Sequence, residues 1–219
     1  MPLPQSIQVG LARGRWDYYT SCGRAVLFVG FALLEESRIL AIMNIIVREI
    51  DQYNVEDFGR CDSSFTVSSK LILNAENGTI SYTIMEVPPY TKQYRVEEFD
   101  AKFYMDHPDR AIFFAYLDEE LAGEIRLRNN WNGYAYIDSI AVDSKYRNRG
   151  VGRALIQQAI QWAKTKGFPG LMLETQDNNV IACYFYESCG FELRGFDTYL
   201  YKALDPSTNE IALYWYLIF

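Results

Sequence analysis

Apolar and polar positions alternate with different periods along this 219-residue chain, and the changes of period mark out its elements. MNIIVR (43–48) opens on an apolar run that predicts a first strand. A helix is expected around 51–61, with the carboxylate of Asp51 capping its start. SKLILNA (69–75) and TISYTIMEV (79–87) flank Asn77-Gly78, a strong two-residue hairpin signal, and Pro88-Pro89 is expected to end that unit. Residues 95–109 are polar and acidic (Glu97, Glu98, Asp100, Asp106, Asp109) and predict a short helix and loop. AIFFAYL (111–117) and residues 121–127 read as strands joined by the turn Asp118-Glu119-Glu120, and NNWNG then leads into YAYIDSIAV (134–142).

The period then becomes helical. Over 151–166, Val151, Leu155, Ala159 and Trp162 fall on one stripe while Arg153, Gln157, Gln161 and Lys164 face away, so the stripe is expected to be core. Gly167 follows as a C-terminal cap, and Gly190 does the same for a second helix that begins near Asn179. With a strand at 171–175 and closing strands at 191–202 and 211–219, this half of the chain reads β-α-β-α-β. Between its first strand and helix stand Arg147, Asn148, Arg149, Gly150, Val151 and Gly152. They place a run of backbone N–H groups at a helix start, and the glycines let a ligand approach the main chain. Such a site binds an anion, and a pyrophosphate suits its length. The Gly-Lys-Ser/Thr ending of a Walker loop and the three spaced glycines of a dinucleotide fingerprint are both missing.

Composition narrows the picture. With 49% apolar residues the chain can bury one sizeable core. Residues 1–42 stand apart: Arg13, Arg15, Arg24 and Arg38 against Asp17, Glu35 and Glu36 give a balance of plus one, against minus eight for 43–219. Their apolar run AVLFVGFALL (25–34) falls short of the ~20 residues that span a bilayer. We therefore expect 1–42 to be an extension outside the folded domain, upstream sequence read through to an internal start at Met43. The four cysteines (Cys22, Cys61, Cys183, Cys189) form no CxxC pair and His107 is the single histidine, which argues against a Cys/His zinc site and suggests reduced thiols in a cytoplasm. The 25 acidic and 17 basic residues of 43–219 should attract a cationic small molecule and repel nucleic acid, unless the acidity serves solubility alone. Tyr214, Trp215, Tyr216 and Phe219 are expected in the sheet core, with a homodimer contact as the other reading against a monomer.

Arg147-x-x-Gly150-x-Gly152 between a strand and a helix resembles the acyl-CoA motif of the GCN5-related N-acetyltransferase (GNAT) superfamily. Downstream, Asn179-x-x-Ala182-x-x-x-Tyr186-x-x-x-Gly190-Phe191 is similar to the second motif of that superfamily, with every spacing kept. LETQDNN (173–179), NWNGYAYI (130–137) and the terminal YWYLIF (214–219) resemble its streptothricin acetyltransferase branch. The resemblance implies an α/β fold: a central, twisted, mostly antiparallel mixed sheet flanked by helices, with 43–219 as the N-acetyltransferase domain. It implies acetyl-CoA as co-substrate, no metal, and a cationic primary amine as acceptor, with streptothricin inactivation leading. Acetylation of protein amino groups or polyamines, and a non-catalytic acyl-CoA sensor, remain as alternatives.

The resemblance also implies roles. The backbone of Ile140, Ala141 and Val142 would bond the thioester carbonyl and pantetheine, and 147–152 with Arg153 would hold the diphosphate. Tyr186 stands where relatives use a general acid, and a phenol with pKa near 10 keeps its proton at neutral pH. Asn179 is either a coenzyme or main-chain contact or a helix N-cap. For the base, Asp138 and Glu174 are both candidates: Asp138 is expected on the strand face of Ile140 and Val142, where burial would raise its pKa, or paired with Arg126 or Arg128. A water relay is the third possibility. Trp131, Asp138, Glu174 and Asp177 are expected to border the acceptor.

Overall fold

The computed structural model describes residues 44–93 and 100–219. The expected extension at 1–42 and the acidic pair Glu97 and Glu98 lie outside them. Among the described residues nine strands and two α-helices follow one another: β1 (Ile45–Glu49), β2 (Phe65–Glu76), β3 (Thr79–Lys92), β4 (Arg110–Leu117), β5 (Glu120–Asn129), β6 (Ala135–Val142), α1 (Val151–Thr165), β7 (Gly170–Gln176), α2 (Val180–Ser188), β8 (Glu192–Asp197) and β9 (Ala212–Ile218). Seven strands make one sheet in the order β1-β4-β5-β6-β7-β9-β8, antiparallel everywhere except between β6 and β7. The parallel pair is the one joined by a helix, because parallel strands need a crossover where antiparallel ones need a turn. β2 and β3 form a separate hairpin.

The predicted stripe of α1 is buried, Val151, Leu155, Ala159 and Trp162 together with Ile156 and Ala163, while Arg153, Gln157 and Gln161 are exposed. Gly167 (φ 79°) and Gly190 (φ 91°) close the two helices in the left-handed conformation that favours glycine. One core fills the space between the helices and one face of the sheet, with Ala111, Phe113, Ile125, Leu127, Ile137 and Leu173 among its strand residues. A smaller one covers the other face of β4, where Ile112 and Phe114 meet Ile50, Ala101 and Tyr104.

Four expectations are corrected. The helix expected at 51–61 is a short 3-10 turn, Val55–Asp57. Asp51 Oδ1 does accept from the amides of Tyr53 and Asn54, but Asn54 bonds the amide of Asp51 and the carbonyl of Glu49, and Gly59 takes φ 73°. Local side-chain bonds of this kind compete with a helix. Pro88 and Pro89 do not end β3, which runs on to Lys92: the register jumps from Val67↔Tyr90 to Ser69↔Glu86, leaving both prolines in a bulge where no ladder donor is needed. The closing strand expected at 191–202 stops at Asp197, and Leu200–Ala203 is a 3-10 turn.

The fourth correction bears on the chemistry. β6 bulges at Asp138, since Ile137 opposes Leu127 and Ser139 opposes Arg126. The extra residue reverses the alternation, so Ile137 before it and Ile140 after it both pack on the helix side. Asp138 therefore lies on the opposite face from Ile140 and Val142, where the guanidiniums of Arg126 and Arg128 meet it.

Candidate active site

β6 and β7 pair only over Ala135–Ile137 against Leu171–Leu173, although β6 continues to Val142 and β7 to Gln176. Beyond Ile137 the two strands part. Ile140, Ala141 and Val142 stay paired with Ile125, Glu124 and Gly123 of β5 on one side and have no strand partner among the described residues on the other. Main-chain groups at such an opening are fixed dipoles free to meet a ligand, and the opening lies at the carboxyl ends of parallel strands.

Its mouth is the turn into α1. Asp143 accepts from the amide of Lys145, the 3-10 turn Ser144–Tyr146 follows, Asn148 takes φ 61°, and Gly150 at the N-cap takes φ 85°. No side chain caps α1 and no acidic residue stands in its first turn, so its leading amides keep their positive field. The nearby arginines are deployed differently from what the motif suggests. Arg147 donates to the carbonyl oxygens of Val142 (3.2 Å), Asp62 (3.3 Å) and Ser64 (2.6 Å), fixing the loop to β6 and to the segment before β2. Arg153 donates to the carbonyl and hydroxyl of Ser188 at the far end of α2. Arg149 lies 5.8 Å from the ring of Tyr146. Gly152 serves helix packing too: a Cβ there would sit 3.0 Å from the ring of Phe185.

Tyr186 points inward from α2, against β9. It is 7% exposed, within 6.3 Å of the rings of Phe185, Phe191 and Trp215, and its hydroxyl bonds no other described residue. Burial first, then the charges of neighbouring groups that include Glu174 and Tyr136, holds its phenol well above the usual range. Asn179 is the N-cap of α2, accepting from the amide of Ala182 at 3.4 Å.

The two base candidates have separate surroundings. Asp138 Oδ1 accepts from Arg128 Nε at 2.8 Å, with Arg126 Nε 3.8 Å from Oδ2, and Arg128 also lies over the ring of Tyr136. The ion-pair reading is the observed one. Glu174 is half-buried with no cation within ion-pair distance among the described residues; Tyr201 donates a hydrogen bond to its Oε1. Burial pushes its carboxyl up, the Tyr201 bond pulls it back, and Glu210 raises it again.

Of the expected acceptor residues, Glu174 and Asp138 lie on the sheet face opposite the helices, near the parting. Asp177 is turned inward: it is 3% exposed and its Oδ1 accepts from the amide of Ile211 at 3.0 Å, securing the start of β9. Trp131 is 92% exposed on the turn into β6, at the end of that strand away from the turn into α1. Three residues escaped the sequence reading. Tyr201 lay in an expected strand, Gln176 donates to its hydroxyl at 2.8 Å, and Gly123 lets Val151 and Leu155 of α1 approach β5. Only Gly123 carried a local signal, a lone glycine within a strand pattern.

This parted sheet, with a bare helix N-terminus at its mouth and a buried phenol beside it, has the form of an acyl-CoA-dependent transferase. Residues 81–191 match the Acetyltransferase (GNAT) family, and the chain belongs to that family. Within it the chain is similar to streptothricin acetyltransferase A of Bacillus subtilis (strain 168), 42% identical over 175 residues that span 80% of this chain and 100% of that protein. A streptothricin acetyltransferase of Escherichia coli is 36% identical over 71% of this chain and 86% of its own length. A solved structure from Bacillus anthracis str. Ames, assigned as a streptothricin acetyltransferase and holding acetyl coenzyme A, superposes with a TM-score of 0.74 at 46% identity, covering 81% of this chain and 98% of that one. Nourseothricin acetyltransferase superposes at 0.66 with 31% identity, over 80% and 98%. Among the described residues no helix is long and apolar enough to cross a membrane.

Proposed function

We propose that this acetyltransferase moves the acetyl group of acetyl-CoA to a primary amine of streptothricin, on the β-lysine moiety, and so inactivates the antibiotic. The observation that carries the reading is the parting of β6 and β7 after Ile137 and Leu173, with uncapped amides at its mouth and a half-buried carboxylate beside it. The similarity to streptothricin acetyltransferases over most of the chain supports the choice of acceptor.

The residues present fit the coenzyme. The leading amides of α1, from Val151 to Arg153, suit a diphosphate, and Gly150 keeps the approach open. The free edge of Ile140–Ala141–Val142 suits the amides and carbonyl of an acylated pantetheine arm. Acetyl-CoA, when bound, supplies an activated acetyl thioester.

The acceptor amine must reach that carbonyl neutral, and Glu174 takes its proton. Burial lifts this carboxyl toward the pH at which a base works best while leaving it ionised above its pKa. Tyr186 retains its proton at neutral pH and delivers it from Oη to the departing sulfur. Asp138 offsets one of the two positive charges of Arg126 and Arg128, which weakens the repulsion a cationic acceptor meets on that face.

A thiol-release assay with streptothricin, spermidine and a lysine peptide as separate acceptors tests this. Turnover with streptothricin should exceed the other two by orders of magnitude in kcat/KM. Preferential turnover of spermidine or the peptide would reassign the acceptor, and coenzyme A binding without turnover of any would remove the enzymatic reading.

A further inference from the structure

The connection between β8 and β9 folds back so that its 3-10 turn, Leu200–Ala203, brings Tyr201 against β7. Two side chains of β7 on the same strand face, Glu174 and Gln176, both bond the Tyr201 hydroxyl. An ionised carboxylate only accepts hydrogen bonds, so the phenol hydrogen must point to Glu174 Oε1. The Tyr201 oxygen is then left to accept, and the Gln176 amide nitrogen 2.8 Å away supplies the donor. The arrangement has one consistent set of hydrogen positions, with Oε2 of Glu174 outside it.

We propose that Tyr201 is a positioning residue for the transfer: oriented by Gln176, its hydroxyl holds Glu174 with one carboxylate oxygen committed and the other left for the proton of the acceptor amine. This rests on the reading of Glu174 as the base. A half-buried carboxylate at the edge of an opening has several rotamers, and a base works only from the one that reaches the amine. The bond selects that rotamer. It also favours the ionised form, against burial and against Glu210 on the same connection. The other titratable and charged groups around the site are Tyr136 of β6, Tyr214 of β9 and Tyr186 of α2, the Lys92–Glu210 ion pair, and Asp138, which is held by Arg128. All three phenols are held above their usual range and stay neutral on the acid side, so the acid limb of the rate profile reports a carboxylate, which Glu174→Gln identifies.

The test is the pH profile of kcat/KM for streptothricin acetylation by the full chain and its Tyr201→Phe, Gln176→Glu and Glu174→Gln variants. Tyr201→Phe keeps the ring and loses the bond, so the midpoint of the acid limb should move up by about one to two pH units, from the worth of a hydrogen bond to a charged group. On the acid limb, below both midpoints, its kcat should fall about tenfold or more while KM for acetyl-CoA stays unchanged. Gln176→Glu draws the phenol hydrogen away from Glu174 and should move the limb the same way. A limb that stays in place in both variants overturns the role of Tyr201. Glu174→Gln separates the two claims: loss of the limb and of at least a hundredfold in kcat supports the base on which the proposal stands, and an unaltered profile removes the base and Tyr201 with it.

Discussion

Replacing Gly123 by alanine should loosen the fold and weaken coenzyme A binding together, because one methyl group would press on both β6 and the start of α1. A Cβ at Gly123 would lie 2.8 Å from the carbonyl oxygen of Ala141, 3.0 Å from Val151 Cγ1 and 3.1 Å from Leu155 Cδ1. The first contact is backbone of the free-edged stretch of β6, and the other two are fully buried side chains of α1. None can yield as an exposed side chain would. Burying one methyl gains about 0.8 kcal/mol, while overpacking costs about 1–3 kcal/mol and three such close contacts put it in the upper half of that range, so the variant should lose about 1–2 kcal/mol. For a chain of this size that lowers Tm by about 2–8 °C. If 1 kcal/mol of the strain is relieved by lifting the first turn of α1 off β5, the amides at the mouth move and the Kd for coenzyme A rises about fivefold. Differential scanning calorimetry and isothermal titration would read both quantities on one preparation. An unchanged Tm would mean that α1 and β5 stand further apart than described, and a lowered Tm with unchanged coenzyme affinity would detach the packing from the site.

Asn179→Ala removes the cap of α2 and should cost about 1 kcal/mol with coenzyme A affinity held within twofold; a tenfold loss of affinity would make Asn179 a ligand contact instead. Glu124 is buried with its carboxyl pushed up by burial, and the amide of Gly59 donates to it at 2.9 Å. A raised folded pKa gives stability that is present below the unfolded value and lost as pH rises through the folded one, so Glu124→Gln should flatten the decline of denaturant midpoint as pH rises above the ordinary carboxylate range. A parallel decline in variant and parent would remove Glu124 as its source. A chain beginning at Met43 should remain soluble and keep its kcat, and its aggregation on expression would assign residues 1–42 to the fold.

The helices and their glycine caps were legible because their signals are local: the stripe on α1, Gly167 and Gly190 report on turns closed within a few residues. The glycine-containing turn between β6 and α1 was legible for the same reason, although the left-handed φ of Gly150 was not part of that reading. Asp138 was misplaced because a bulge exists only relative to the partner strand, and nothing within YIDSIAV records that Arg126 skips a position opposite it. Pro88 and Pro89 misled for the same reason, since their tolerance depends on where the β2 register shifts. Asp177 was expected to border the acceptor because its partner, the amide of Ile211, arrives from far along the chain. Tyr201 was invisible as one of many tyrosines, and only the return of the β8–β9 connection brings it to Glu174.

Among the described residues, the short contact of Ala135–Ile137 with Leu171–Leu173 is the sole strand seam between a four-strand block and a three-strand block. A seam that short divides the sheet into two leaves hinged at one end. Native-state hydrogen exchange should find its amides the least protected of any interior pairing in the apoprotein, and a molecule lodged between the leaves would splice them. The enzyme then gains rigidity from its own co-substrate, and resistance to proteases should rise with acetyl-CoA concentration.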